Sequence, residues 1–252
     1  MNIPVRISLV SYLNSRPFLY GLRHSTLARS IELQLDNPAV CADKLIQGSV
    51  DIGLVPAAIL PKLPDYQIVS EYCIGAFGPV ESVLLVSDVP LESISSVLLD
   101  YQSRTSVSLV RILAEQLWHI TPEWHPATPG FEEKIAGSQA AVIIGDRAFK
   151  AARSHPYVYD LAEAWTELTG KPFVFAVWAS RTRLDAEFIS AFNAALSFGL
   201  SHLDQVVRAE TETALSPEAL RKYLTHSIRF NFDSAAQEGL AEFLHRQSVS
   251  LV

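Results

Sequence analysis

Short apolar runs alternate with helix-period segments from the start of the chain, and this alternation limits the possible folds more than any other feature. Residues 5–10 read as a strand, and Pro17 in a first turn opens a helix. Residues 31–36 alternate with period two, as a half-buried strand does. Asn37-Pro38 then supplies a cap and a first-turn proline, Gly48 closes the helix, and residues 51–55 form a buried strand. The order β-α-β-α-β argues for parallel pairing with helices on both faces.

A strand at 80–86 precedes a second series. Strands are expected at 97–100, 123–125, 140–144 and 173–178, with helices at 106–118, 131–136 and 160–168. The tail reads as wholly helical over 185–203, 216–224 and 233–246, with Ser216 and Asp233 as caps. Two such series with a late return strand imply two lobes joined by two crossings. One lobe takes residues 1–87 and 178–252, the other 88–177.

At 252 residues and 49% apolar, the chain can bury a substantial core, and no long charge run suggests disorder. A net charge of −7 without a basic stripe argues against nucleic-acid and anionic-membrane partners. An anionic ligand would need local donors. No apolar run reaches the roughly 20 residues that span a bilayer, and no leader pattern stands at the N-terminus, so a cytoplasmic protein is expected. Cys41 and Cys73 are far apart and read as ordinary buried thiols. His24, His119, His125, His155, His202, His226 and His245 form no metal-ligand grouping, so neither a metal nor another cofactor is expected. No GxSxG elbow or phosphate-binding glycine loop occurs.

The segments that can carry chemistry lie where a strand end meets a helix start, the place where parallel α/β sheets bind ligands. Residues 11–18 hold Ser11, Asn14 and Arg16. Asn14 suits an anion or hydroxyl site, although Asn14 or Ser15 equally serves as a cap and Arg16 as a surface charge. Gly48 and Asp51 have structural jobs, while the backbone near Pro56 sits at the next strand end. Ser82 follows the Gly78-Pro79 turn and points either into a cleft or to solvent. Ser103, Arg104, Thr105 and Ser106 concentrate hydroxyls and a guanidinium at a helix start, chemistry suited to a carboxylate or phosphate; an ordinary cap with an exposed arginine is the other reading. Gly145-Asp146 ends another strand, and Asp146 reads as a cap, a hydroxyl acceptor or a base.

Taken together and in this order, SYLNSRPF (11–18), GSVDIGLVPAA (48–58), GPVESVLLVS (78–87), SRTSVSL (103–109), IIGDRA (143–148) and DLAEAWTELTGKPFVFAVWA (160–179) resemble the chorismate dehydratase family of the futalosine route to menaquinone. The resemblance implies an α/β, two-lobed, periplasmic-binding-protein-like type II fold with mixed sheets, flanking helices and a cleft between lobes. It implies conversion of chorismate to 3-[(1-carboxyvinyl)oxy]benzoate and water, without a cofactor, by a monomer or homodimer. Asn14, Ser82 and residues 103–106 would line the cleft, with Ser11, Pro56 and Gly145 as further substrate contacts. Asn14 and Ser82 would orient the leaving hydroxyl or the ether, and residues 103–106 a carboxylate. Asp146 is the nearest protein base, and the substrate's own enolpyruvyl carboxylate is the other candidate. A non-catalytic small-anion binder on the same fold is the alternative, as is the sister dihydroxynaphthoate synthase, whose N-terminal signature does not match residues 11–18.

Overall fold

The computed structural model describes residues 4–211 and 213–250. The first series folds as expected: β1 (Val5–Val10), α1 (Arg16–His24), β2 (Ile31–Asp36), α2 (Pro38–Gln47) and β3 (Ile52–Pro56). The side chain of Asn37 accepts from Val40 N at 3.0 Å, a cap that stabilises α2 by about 1 kcal/mol. β2, β1 and β3 pair in parallel. β4 (Gln67–Ala76) belongs to the same sheet and leads the chain out to the second lobe. There β5 (Val83–Ser87), β6 (Ser96–Leu99), α3 (Thr105–Leu113), β7 (Glu123–Pro126), β8 (Gln139–Ile144), α4 (Arg147–Ser154), β9 (Tyr157–Asp160) and α5 (Leu161–Thr169) follow. The chain returns through β10 (Phe173–Ser180), α6 (Ala186–Ser201), α7 (Leu203–Ala209), α8 (Pro217–Lys222), β11 (Arg229–Asn231) and α9 (Ser234–Ser250).

Two mixed sheets result, ordered β11-β4-β10-β3-β1-β2 and β7-β6-β8-β5-β9. β10 runs antiparallel between β3 and β4, and β5 antiparallel between β8 and β9. Sheet membership changes earlier than the sequence boundaries at 87 and 177 imply. β5 pairs in the second sheet and all of β10 in the first, so the segments that join the sheets are 77–82, before β5, and 170–172, between α5 and β10. Apolar strands buried on both faces give no signal of which sheet they join. Leu84 and Val86 pack under α4, while Val83 and Leu85 join the large core on the other face.

The tail departs from the expectation of helix alone. β11 adds an edge strand to β4, and a π turn over Tyr223–Ser227 precedes it. A second π turn, Ala114–Trp118, ends the helix expected to run to 118. α9 lies across α3 and β10 and so touches both lobes. Among the described residues, no helix is long and apolar enough to cross a membrane. Cys41 and Cys73 are free and buried, and burial pushes both thiols up to about 12.

α1 and α6 cross with their backbones nearly touching. A Cβ on Gly199 would lie 1.8 Å from the Pro17 carbonyl oxygen, and one on Gly21 would lie 2.0 Å from that of Ala195. Neither obstacle is a side chain that can turn away. Gly199→Ala is expected to force the helices apart and cost about 2–3 kcal/mol, read as a lower denaturant midpoint at unchanged slope.

Candidate functional site

A cavity of about 530 Å³, solvent at its mouth included, lies between the two sheets where β1, β3, β8 and β10 end near the start of α3. Val10, Ile74, Val80, Val83, Ile144 and Phe175 give it apolar walls. Its polar lining comes from Asn14, Ser15, Ser82, Ser103, Thr105 and Ser106, with Tyr12 and Gly145 at one side. No carboxylate, histidine, lysine or arginine is among the lining residues. The cavity joins apolar walls to a small number of polar groups, as ligand sites do, and its donors are neutral.

Of the residues expected at the site, the cavity brings together Asn14, Pro56, Ser82, Ser103, Thr105, Ser106 and Gly145. Ser11 is not on the wall. Val10 and Tyr12 are, and the alternation at the strand end places the residue between them elsewhere. Arg104 is not on it either. Its guanidinium donates to Asp43 Oδ1 on α2, an ion pair between lobes, because that carboxylate is the counter-charge within its reach. Asp146 caps no helix and is absent from the wall. Its Oδ1 accepts from Leu13 N at 3.1 Å, and burial raises its carboxyl above the usual range against that bond and the charge of Arg16.

The four residues at the start of α3 divide their work. Ser103 Oγ accepts from Ser106 N at 3.0 Å, ordering the first turn. Thr105 Oγ1 accepts from Ala58 N at 3.2 Å and donates to the Phe175 carbonyl at 3.1 Å. Its one proton is therefore spent on joining the lobes and is not available to a ligand carboxylate. Ser106 is 2% exposed, and among the described residues its hydroxyl has no partner. The α3 dipole adds partial positive charge at the same place.

Three contacts that the sequence reading did not single out shape the cavity. Tyr12, across from Gly145, donates to Gln102 Oε1 and so bridges the lobes. Gly145 sits at φ +66, and a Cβ there would meet the Tyr12 ring at 2.8 Å. Gln102 is fixed in turn by Arg147, whose Nη2 reaches Gln102 Oε1 at 3.3 Å and the Asp100 carboxylate at 2.6 Å. The Asp100 side chain is fully buried, and its Oδ1 and Oδ2 also accept from Gln102 N and Ile144 N. Finally, Tyr223 from the tail donates to Ser82 Oγ at 2.8 Å. Partners 90 and 141 residues apart leave no local trace in a sequence.

A family model described as menaquinone biosynthesis matches residues 5–248. A chorismate dehydratase of Thermus thermophilus is 27% identical, over 95% of this chain and 94% of its own length. Among solved structures, a protein of Archaeoglobus fulgidus superposes with a TM-score of 0.76 at 14% identity, covering 99% of this chain and 98% of that one. A Candida albicans gene product described as having the generic periplasmic binding protein fold gives 0.68 at 12% identity, over 98% and 91%. The periplasmic aliphatic sulphonate binding protein of Escherichia coli gives 0.59 at 17% identity, over 99% and 94%. The fold is thus periplasmic-binding-protein-like.

Removing Arg147 would leave the Asp100 carboxylate buried without its counter-charge. Burial already raises that carboxyl above its ordinary value, with Arg147 as the main opposing influence. Arg147→Met is expected to cost about 3 kcal/mol at pH 7. Without the guanidinium, the folded state takes up a proton on Asp100 more readily than the unfolded chain does, so the deficit shrinks as pH falls. Denaturant midpoints at pH 7 and pH 5 check both the size and the sign.

Proposed function

The chain belongs to the menaquinone biosynthesis family, and on that premise we propose that it is a chorismate dehydratase, forming 3-[(1-carboxyvinyl)oxy]benzoate and water. The observation that carries this reading is the composition of the cavity wall: neutral hydroxyl and amide donors, apolar faces, and no carboxylate, histidine or lysine to act as a general base. Elimination from chorismate breaks the C3–H and C4–O bonds, and the electron pair of the C3–H bond completes the aromatic ring. Chorismate carries its own base in the enolpyruvyl carboxylate. A wall without a base suits a substrate that needs only to be folded over, desolvated and held.

In this mechanism the first turn of α3 with Ser106 receives a carboxylate, and Val10, Ile144 and Phe175 pack the ring. Asn14 and Ser82 hydrogen-bond the oxygen that leaves C4, where negative charge grows as the bond breaks. Asp146 acts only through its hold on the Leu13 backbone. A cytoplasmic setting fits a substrate and product that are intermediates of biosynthesis.

The purified protein is expected to convert chorismate to an aromatic product lighter by one water, followed by chromatography and mass. Asn14→Ala should lower kcat by about 100-fold or more, the usual cost of a donor aimed at developing charge. Asp146→Asn, which keeps an acceptor for Leu13 N, should stay within a few-fold of wild type. An Asp146→Asn loss as deep as that of Asn14→Ala would restore the protein base. A folded wild-type protein that binds chorismate without turnover would make this a receptor instead.

A further inference from the structure

We propose that Tyr223 is a positioning residue of this site, which by donating to Ser82 commits the Ser82 hydroxyl proton to the cavity. The inference rests on the dehydratase reading and deepens it. A serine hydroxyl has one proton and two lone pairs, and its proton is free to rotate until something fixes it. A phenol is far more acidic than an alkanol, so in the 2.8 Å Tyr223–Ser82 contact the tyrosine is the donor. Ser82 Oγ makes no other hydrogen bond among the described residues, and Ser82 is on the cavity wall. The remaining direction for its proton is the cavity, where the leaving oxygen would lie.

The tail is built to hold this contact. Tyr223 is 2% exposed, begins the π turn, and meets Phe149 of α4 edge-on with ring centroids 5.1 Å apart. Four residues on, at the end of the same turn, Ser227 Oγ donates to Glu81 Oε1 at 2.6 Å. One turn therefore grips two successive residues of the crossing segment, Glu81 and Ser82. Glu81 needs that grip, because its φ of +63 is a conformation that a glutamate adopts only when its surroundings impose it. Short π turns occur often at functional sites, where the extra residue re-aims a side chain. Burial pushes the phenol well above its usual range, against its hydrogen bonds with Ser82 and with Asn14, so Tyr223 stays a neutral donor.

The test is a double-mutant cycle with chorismate as substrate. Tyr223→Phe keeps the ring against Phe149 and should fold, checked by circular dichroism. It is expected to lower kcat about ten- to a hundred-fold with KM within about threefold of wild type. Ser82→Ala should lose at least as much, and the double variant should be no worse than Ser82→Ala, because the phenol acts through that hydroxyl. 3-Fluorotyrosine at position 223 keeps both donor and packing and should hold kcat within about threefold. Wild-type kcat in Tyr223→Phe, losses that multiply in the double variant, or a fluorotyrosine loss as large as that of Phe each overturn the inference while leaving the dehydratase intact. Wild-type protein that neither binds nor converts chorismate defeats the reading and the inference together.

Discussion

One carboxylate ties together the segment on which the cavity depends. Asp160, at the end of β9, accepts through Oδ2 from Val80 N at 2.9 Å and Glu81 N at 2.7 Å, and through Oδ1 from Ala162 N and Glu163 N at 3.0 and 3.2 Å. The first pair belongs to the outgoing crossing, and the second opens the helix that leads to the return crossing. Backbone donors outside helix and sheet ladders must be matched somewhere, and here a single side chain matches four of them. Burial pushes the Asp160 carboxyl up to about 6 against those four bonds, so at neutral pH it is mostly ionised. The outgoing crossing is therefore pinned to the start of that helix, and Ser82 emerges from the pinned segment with its hydroxyl on the cavity wall. The strained Glu81 backbone is held on one side by Asp160 and on the other by Ser227.

The two lobes are drawn together by contacts of different kinds around the same cavity. Tyr12 reaches Gln102, Thr105 reaches Ala58 and Phe175, Asp43 pairs with Arg104, and Asp146 takes the Leu13 amide. Gln247 of α9 adds bonds to Ala58 O and Ser108 Oγ, both at 3.2 Å, one on each side of the gap. Each bond is modest alone, about 1 kcal/mol for a neutral pair, but several together define a closed arrangement. The consequence for the wall is selective. Arg104, Asp43 and Asp146 are occupied with contacts across the gap between the lobes, and the wall is left neutral.

Much of this was legible in the sequence, and the limits of that legibility are physical. Strand ends meeting helix starts are local patterns, so the positions of Asn14, Pro56, Ser103, Ser106 and Gly145 near one another follow from topology, whereas Ser82 lies just before a strand and is read from its turn. What each side chain does with its hydrogen bonds depends on partners far along the chain. Thr105 looks like a ligand donor until the Phe175 carbonyl, 70 residues away, takes its proton. Arg104 looks like a carboxylate clamp until Asp43 is found beside it. Asp146 looks like a cap because caps are common at that position, yet the Leu13 amide claims it. The π turn and β11 escaped for a different reason: a one-turn bulge and a three-residue edge strand are too short for periodicity to register. Tyr223 lies inside a segment, 216–224, that reads only as a helix of the tail.

The similarity to binding proteins and to an enzyme of menaquinone biosynthesis poses the question of what separates the two uses of one cleft. A receptor gains by stabilising its ligand as it is, whereas a catalyst gains only from contacts that strengthen as the reaction proceeds. Cationic side chains on the wall would grip an anionic ligand strongly in its ground state. They would also neutralise a substrate carboxylate that is to serve as a base. A wall of hydroxyls and one side-chain amide, with the guanidiniums of Arg104 and Arg147 turned to Asp43 and Asp100, avoids both effects. On the proposed dehydratase reading, such a wall would leave binding to the dipole of α3 and to excluded water, and reserve directed hydrogen bonds for the oxygen that leaves. On this argument the pairing of Arg104 with Asp43 and of Arg147 with Asp100 and Glu132 matters for what it removes, because each guanidinium is neutralised by its own carboxylates and kept off the cavity wall.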